Sequence, residues 1–355
     1  MKKLLELEAL RGASALYVFL HHTLESLNIR EAHPLINKIF LFGQEAVMIF
    51  FLLSGYVIAL SISRSNKSFK DYMKSRFFRI YPIVAVASLI AFLALWLTNK
   101  PIDTTFFNFL GNIFMLQDLS HFKPGIFCDP LFNNAPLWSL SYEWWFYILG
   151  FGYIYVYNKH FKDNLFLFNM SALIFSLFAL ITFKIYPNKI SLTAFYYYIW
   201  FSGVFLFFLI QKNQLNMKNI LLIFSSYLSL IFVYFLLFIY NEKLSTFGFH
   251  PLSELRHYGT AAFLLMSAIL FYKKVYTKVK DYSFYIYLVK LFSMLAPISF
   301  AMYVIHYPIN SCFVELFINT GMNVYLLLII EILVVFGLSY LIEIKLMRLK
   351  LFKRE

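Results

Sequence analysis

Cysteine is nearly absent from this chain, and charge is thin. Only Cys128 and Cys312 occur in 355 residues. Two cysteines make no disulfide framework, and no Cys-x-x-Cys or histidine-rich spacing suggests a metal site. A single disulfide is open to them only if both lie on one outer side. Charged residues make up 14% of the chain, where soluble domains carry about 25%. Acidic residues are the scarcer sign: 18 Asp and Glu stand against 31 Lys and Arg, a net charge of +13. The basic residues sit in short loops between apolar segments, the pattern of cytoplasmic loops, so nucleic acid is not an expected partner. Internal repeats, low-complexity tracts and an appended soluble domain are also missing. The first apolar segment carries Arg11 and has no small-residue cleavage site, so no cleavable signal is expected.

What the chain has in abundance is apolar surface. Hydrophobic residues reach 61%, aromatics 21%, and mean hydropathy is +0.69. The expected class is an all-α integral membrane protein embedded in a lipid bilayer, one domain over residues 1–355. Ten spans are read: 6–27, 38–62, 79–98, 137–157, 165–186, 194–211, 217–240, 257–276, 283–308 and 322–345. Each is long enough for a hydrocarbon core of about 30 Å. Segment 104–117 is too short to span and is read as a half-buried or surface helix.

Loop charges set the orientation. The loop 63–78, with Arg64, Lys67, Lys70, Lys74 and Arg76 against Asp71, carries net +4. The loop 273–282 and the tail after Tyr340, which includes Lys345, Arg348, Lys350, Lys353, Arg354 and Glu355, each carry net +3. The 38-residue stretch 99–136 carries net −1, and 309–321 holds only Glu315. Ten spans put the basic loops on one side and the acidic loops on the other, which predicts both termini in the cytoplasm. The long outer loop 99–136 is then a candidate functional segment.

Ionisable residues inside apolar spans mark function by default. Arg11 and His22 lie eleven residues apart in the first span, which places them on one helix face about 16 Å apart along the axis. Glu8, one turn before Arg11, is spaced for an ion pair. His22 is a candidate general base, because imidazole titrates near neutrality. Ser54-Gly55 permits close helix approach or a local break in the second span. Arg76 and Arg79 share a helix face at a basic boundary, where guanidinium forks suit a phosphate-rich donor. Glu143, after Trp138-Ser139-Leu140-Ser141-Tyr142, is placed to orient a histidine. His306 beside Pro308 lines the same pocket. Lys290 is mid-span and needs a partner, for which Glu331 and Glu143 are candidates.

These pieces resemble the acyltransferase family 3, integral-membrane enzymes that acylate sugars and surface glycans from acyl-CoA. The resemblance runs through Arg11 to His22 with Glu8 before them, Phe50-Phe51 to Ser54-Gly55, Arg76 and Arg79 followed by Ile80-Tyr81-Pro82, Trp138-Ser139-Leu140 with Glu143, and Tyr303-His306-Pro308. One departure is the missing proline after Glu343 in the last span. The resemblance implies an acyl-CoA-dependent O-acyltransferase (class 2.3.1), most simply an O-acetyltransferase. Acetyl-CoA, or another short acyl-CoA, serves as donor from the cytoplasm, held by Arg11, Arg76, Arg79 and Tyr81. It implies His22 and Glu143 as the catalytic pair, with Glu143 holding His22, and Ser54, Trp138, Ser139, Tyr142 and His306 around the acceptor. The acceptor is then a surface polysaccharide such as O-antigen, capsule or exopolysaccharide, or its lipid-linked precursor, at a bacterial inner membrane. Some relatives append an esterase-like domain; this chain ends at Glu355, so the resemblance implies that it acts alone or with a partner. The competing reading is a polytopic transporter or flippase, which predicts inverted repeats and paired broken helices; the sequence shows neither.

Overall fold

The computed structural model describes residues 2–65, 68–161, 164–240 and 248–348. Lys67, and Lys350, Lys353, Arg354 and Glu355 of the charge count, lie outside them. The described residues are almost wholly helical, and the one bridge of β type joins Gln117 and Cys128.

The principal helices are α1 (Lys2–Ser26), α2 (Gly43–Arg64), α3 (Phe69–Leu97), α4 (Leu137–Val156), α5 (Leu165–Ile185), α6 (Lys189–Gln211), α7 (Met217–Phe238), α8 (Leu252–Leu270), α9 (Ser283–Ser293), α10 (Ser299–Phe317) and α11 (Val324–Tyr340). Side-chain caps fix many of their starts. Ser68, Asn164, Asn188, Asn216 and Asn323 each accept a backbone N–H from the first turn, which supplies donors the helix itself leaves unpaired. Seven stretches are long and apolar enough to cross a membrane: Pro34–Arg64, α3, α5, α6, α7, Ser283–Phe317 and Val324–Lys345. The chain is thus a multi-pass membrane protein by its helices. The helices α1, α4 and α8 lie at the other three predicted spans but are not among these seven stretches, and each carries charges within it.

The centre of the bundle is α6. In its apolar window 83% of residues are buried, against 28–44% in the other six stretches, so α6 is surrounded by protein and the others present one side outward. It packs on α2, α4 and α5, and Tyr142, Phe146, Tyr196, Tyr197 and Trp200 form a continuous aromatic core between them. Such ring pairs contribute about 0.5–1.5 kcal/mol each beyond burial.

Two findings depart from the sequence reading. The predicted span 283–308 is not continuous. Helix α9 ends at Ser293, the chain turns through Met294–Ile298, and α10 begins at Ser299. Pro297 explains the break: it has no N–H to donate, so the α-helical ladder is lost there and Ala296–Ile298 form a single 3-10 turn. Gly12 lets α1 approach this break, since a Cβ there would sit 2.2 Å from the Phe292 carbonyl oxygen. Lys290 is exposed near the end of α9, and neither carboxylate expected to pair with it does so. The segment 104–117 forms the short helix Phe106–Ile113. Phe106 and Phe107 are 70% and 82% exposed, and Asn112 is turned inward, so it lies on the bundle as a half-buried helix.

Candidate functional site

Arg11 sits at the helix break. Its guanidinium donates to the Ala296 carbonyl at 3.1 Å, which also accepts the Ser299 N–H and, at 2.8 Å, the Ser299 hydroxyl. Across the break, Glu343 accepts the Ala301 N–H at 2.9 Å and pairs with Arg79 at 3.4 Å. A cation therefore holds the end of α9 and an anion holds the start of α10, the arrangement that the helix dipole favours. Glu8 is exposed and does not pair with Arg11; Arg11 is taken up by the break instead. Arg76 lies over the rings of Tyr72 and Tyr147, at 5.3 and 5.6 Å, and reaches Ser61. The Nε atoms of Arg11 and Arg76 are buried without partners.

Tyr81 does not join this cluster. Its hydroxyl donates to the Ile113 carbonyl at 2.7 Å, and its ring stacks on Phe77 and meets Trp144. Helical rotation is the reason: Tyr81 is turned by about 140° from Arg76 and by about 160° from Arg79. It latches the short helix Phe106–Ile113 to α3.

One face of α4 links this end of the bundle to the histidines. Ser139, Glu143 and Tyr147 recur every four residues and so stack along one side. Tyr147 lies under Arg76 and donates to Glu143. Glu143 also accepts from Ser54 at 2.9 Å, and Trp200 Nε1 donates to that same Ser54 hydroxyl at 3.1 Å. Ser139 shares a 2.7 Å hydrogen bond with the Tyr303 hydroxyl, and the Tyr303 ring neighbours His306. The expected contact between Glu143 and His22 is not formed among the described residues. Glu143 lies one turn, about 6 Å, from Ser139 toward the arginines, level with Ser54 rather than with His22.

His22 lies in a cluster of rings. It stacks on His306 at 5.4 Å with 24° between the planes, and meets Tyr307 and His21 edge-on. It has no hydrogen-bond partner among the described residues. His306 is oriented: its Nδ1–H donates to the Met302 carbonyl at 3.1 Å, and its Nε2 is buried without a partner. The His21 Nδ1–H donates to the Phe40 carbonyl at 2.5 Å. Ligand atoms of His21, His22 and Glu25 lie within 4.8 Å of one another. Arg30 pairs with Glu25 at 3.4 Å inside the same group, and its positive charge opposes a second cation there.

Trp138 and Tyr142 face the loop 99–136 rather than His22. The Lys123 ammonium lies 4.1 Å from the Trp138 ring centre, and His257 stacks on that ring at 6.2 Å. The Tyr142 hydroxyl donates to Asp118 at 2.6 Å, so its one polar atom is spent. Asp118 is fully buried and also accepts from Lys123 at 3.2 Å and Lys189 at 2.9 Å. Burial pushes the Asp118 carboxyl up, but the two lysines and Tyr142 outweigh it and hold it well below the usual range. This ionic knot pins the loop to α4 and α6. Cys128, from the same loop, is a free thiol, as is Cys312. Burial raises the Cys128 thiol to about 11.

Sequence reasoning missed Tyr147, Asp118, Lys189 and the Glu45–Arg256 pair, and gave Glu343 no role. Tyr147 alone carried a readable signal, its i+4 spacing from Glu143. The others are joined by packing between distant segments.

The sequence model of one family, described as an acyltransferase domain, matches residues 4–347. The chain is 30% identical over 151 residues to the acyltransferase MdmB of Streptomyces mycarofaciens, covering 41% of this chain and 38% of that protein. The aligned part thus spans well under half of that relative's length. No solved structure matches. With a family model matched over nearly its whole length, the chain belongs to the acyltransferase family 3.

Proposed function

We propose that the chain is an O-acyltransferase that moves a short acyl group, most simply acetyl, from acyl-CoA to a hydroxyl of a cell-surface polysaccharide or its lipid-linked precursor. The observation that carries this is the separation of two unlike polar ends along α1. At one end Arg79 pairs with Glu343, Arg11 reaches the neighbouring helix break, Arg76 lies over Tyr147, and the Nε donors of Arg11 and Arg76 are buried and unpartnered. Buried donors with surplus positive charge suit phosphate oxygens. About 16 Å along the same helix, His22 and His306 offer bases without a charge to bind a phosphate. An extended donor, phosphates at the arginines and thioester at the histidines, fits that interval.

In this reading His22 takes the proton of the acceptor hydroxyl. The oxygen attacks the thioester carbonyl, the carbon–sulfur bond breaks, and the departing thiolate takes the proton from the imidazolium. Glu143 acts at a distance from His22: it fixes Ser54 and Tyr147, and through Tyr147 the Arg76 fork. A single broken helix is also a feature of transporters. Here Arg11 and Glu343 brace the break from both sides, which supports a fixed site rather than a moving gate.

The test is mass spectrometry of the host's surface glycans with the protein present, with it deleted, and with His22→Ala in its place. Loss of the acetyl or heavier acyl increment in both the deletion and the variant is the expected result. Unchanged acylation with less glycan at the surface would instead support a transporter.

A further inference from the structure

The unpartnered buried groups around the outer half of α1 are of one kind. At the arginine end they are donors, Arg11 Nε and Arg76 Nε. At the histidine end they are acceptors: His306 Nε2, Asn310 Oδ1 and Glu331 Oε2. The side chains of His306, Asn310 and Glu331 are 0%, 1% and 0% exposed. A buried acceptor without a donor is costly, so His306 Nε2 and Asn310 Oδ1, on one face of one helix, call for a ligand that donates.

His306 and Asn310 are four residues apart, on one face of α10 and about 6 Å apart along its axis. They face an equivalent pair on α1. His306 stacks on His22, and Asn310 Nδ2 donates to the Ser26 hydroxyl at 3.1 Å. Both acceptors are held in orientation. The Nδ1–H of His306 is committed to Met302, which leaves Nε2 as a lone pair. The amide of Asn310 is committed through its nitrogen, which leaves Oδ1. Glu331, on α11, takes the Thr23 hydroxyl at 2.8 Å on its other oxygen and closes the back of the row. His22 is the half-buried member, so a ligand reaches the row past its ring.

We propose that His306 and Asn310 form a subsite for a ligand that donates hydrogen bonds through two neighbouring hydroxyls, the sugar ring of the acceptor. This rests on the acyltransferase reading above. A neutral polyol matches the pair: it brings O–H donors to both acceptors. The hydroxyl bonded at His306 is then beside His22, the group that deprotonates it or its neighbour. Asn310 is a binding residue in this scheme and sets which hydroxyl faces His22.

The experiment uses the full chain in lipid nanodiscs, acetyl-CoA, and the host's surface glycan stripped of its esters with mild alkali. Michaelis constants for the glycan and for acetyl-CoA are measured separately. His306→Leu and Asn310→Leu are each expected to raise the glycan constant by about tenfold or more, the loss of one buried hydrogen bond, and to leave the acetyl-CoA constant unchanged. His306→Gln, which keeps an acceptor atom, is expected to retain the wild-type glycan constant within about threefold. Ser26→Ala frees the Asn310 amide but keeps Oδ1 and is expected to raise the glycan constant by less than Asn310→Leu does. Both constants moving together, or a glycan constant unmoved by Asn310→Leu, overturns the subsite. If wild type transfers no acyl group, the acyltransferase reading fails by itself. Binding of the stripped glycan without donor then still tests the subsite, which stands only if wild type binds and Asn310→Leu does not.

Discussion

Arg79 and Glu343 meet at 3.4 Å from positions 264 residues apart in the chain. Glu343 is 7% exposed and Arg79 32%, so the pair is desolvated on one side only. Removing one partner of a fully buried pair costs about 3–5 kcal/mol. The exposure of Arg79 lowers that figure, and we expect Glu343→Ala to destabilise the protein by about 2–3 kcal/mol. Arg79→Met should cost less, because Glu343 keeps the Ala301 N–H. The double variant should fall short of the sum of the two. Thermal unfolding in detergent reads all three; an unchanged midpoint for Glu343→Ala would remove the brace.

Arg76 tests the donor end. Its fork is aimed by Tyr72 and Tyr147 and its Nε is buried, so in the proposed reading it binds the donor rather than closing an ion pair. Arg76→Ala should raise the Michaelis constant for acetyl-CoA by about tenfold or more and that for the glycan little. Arg76→Lys should recover only part of the loss, since an ammonium keeps the charge but not the bidentate fork. A donor constant unmoved by both substitutions would take the phosphate role away from Arg76.

Much of this could be read from the sequence, and what could not has a physical cause. Helical periodicity placed Arg11 and His22 on one face, and placed Arg76 with Arg79, because those relations depend only on residues within one helix. The asparagine and serine caps mark helix starts for the same reason. The break at Met294–Ile298 was written in Pro297, but the apolar run on both sides reads as one span. Tyr81 was assigned by its place beside the arginines; the rotation between positions 79 and 81 turns it to the opposite side. Glu143 was expected on His22 because both lie near helix ends in sequence, whereas the depth of each in the bundle decides contact. Asp118, Lys123 and Lys189 meet only because a loop folds back over α6, and no local pattern encodes that.

The Asp118 knot gives a pH dependence. Its carboxyl is held below the ordinary value near 3.9 by Lys123, Lys189 and Tyr142 against the pull of burial. A depressed carboxyl contributes stability that is complete above the unfolded value and is lost as pH falls toward the folded one. Wild type should therefore lose stability below about pH 4. Asp118→Asn leaves two buried lysines unpaired and should already be destabilised at pH 7, by about 3–5 kcal/mol. Its difference from wild type should shrink as the pH is lowered. Unfolding midpoints measured from pH 7 to pH 3 check this; a constant difference across that range would show that Asp118 contributes by shape and not by charge.

Gly55 lets α2 pack closely against α6. A Cβ at Gly55 would lie 2.0 Å from the Trp200 carbonyl oxygen, and one at the facing Gly203 would lie 2.1 Å from the Leu52 oxygen. Both obstacles are backbone, which cannot swing aside as a side chain does, so the helices themselves must separate. Between membrane helices such close approach is a main source of attraction. Forcing a methyl group in costs about 1–3 kcal/mol. The neighbour Ser54 joins Glu143 at 2.9 Å and Trp200 at 3.1 Å, and a separation of even half an ångström weakens both bonds. Gly55→Ala should therefore lower the unfolding midpoint and the rate of acyl transfer together. Gly152→Ala, where a Cβ meets nothing within 4 Å, should lower neither, since alanine is the better helix former. Equal midpoints for the two variants would mean that the α2–α6 contact does not set the position of Ser54, and that Glu143 is held from α4 alone.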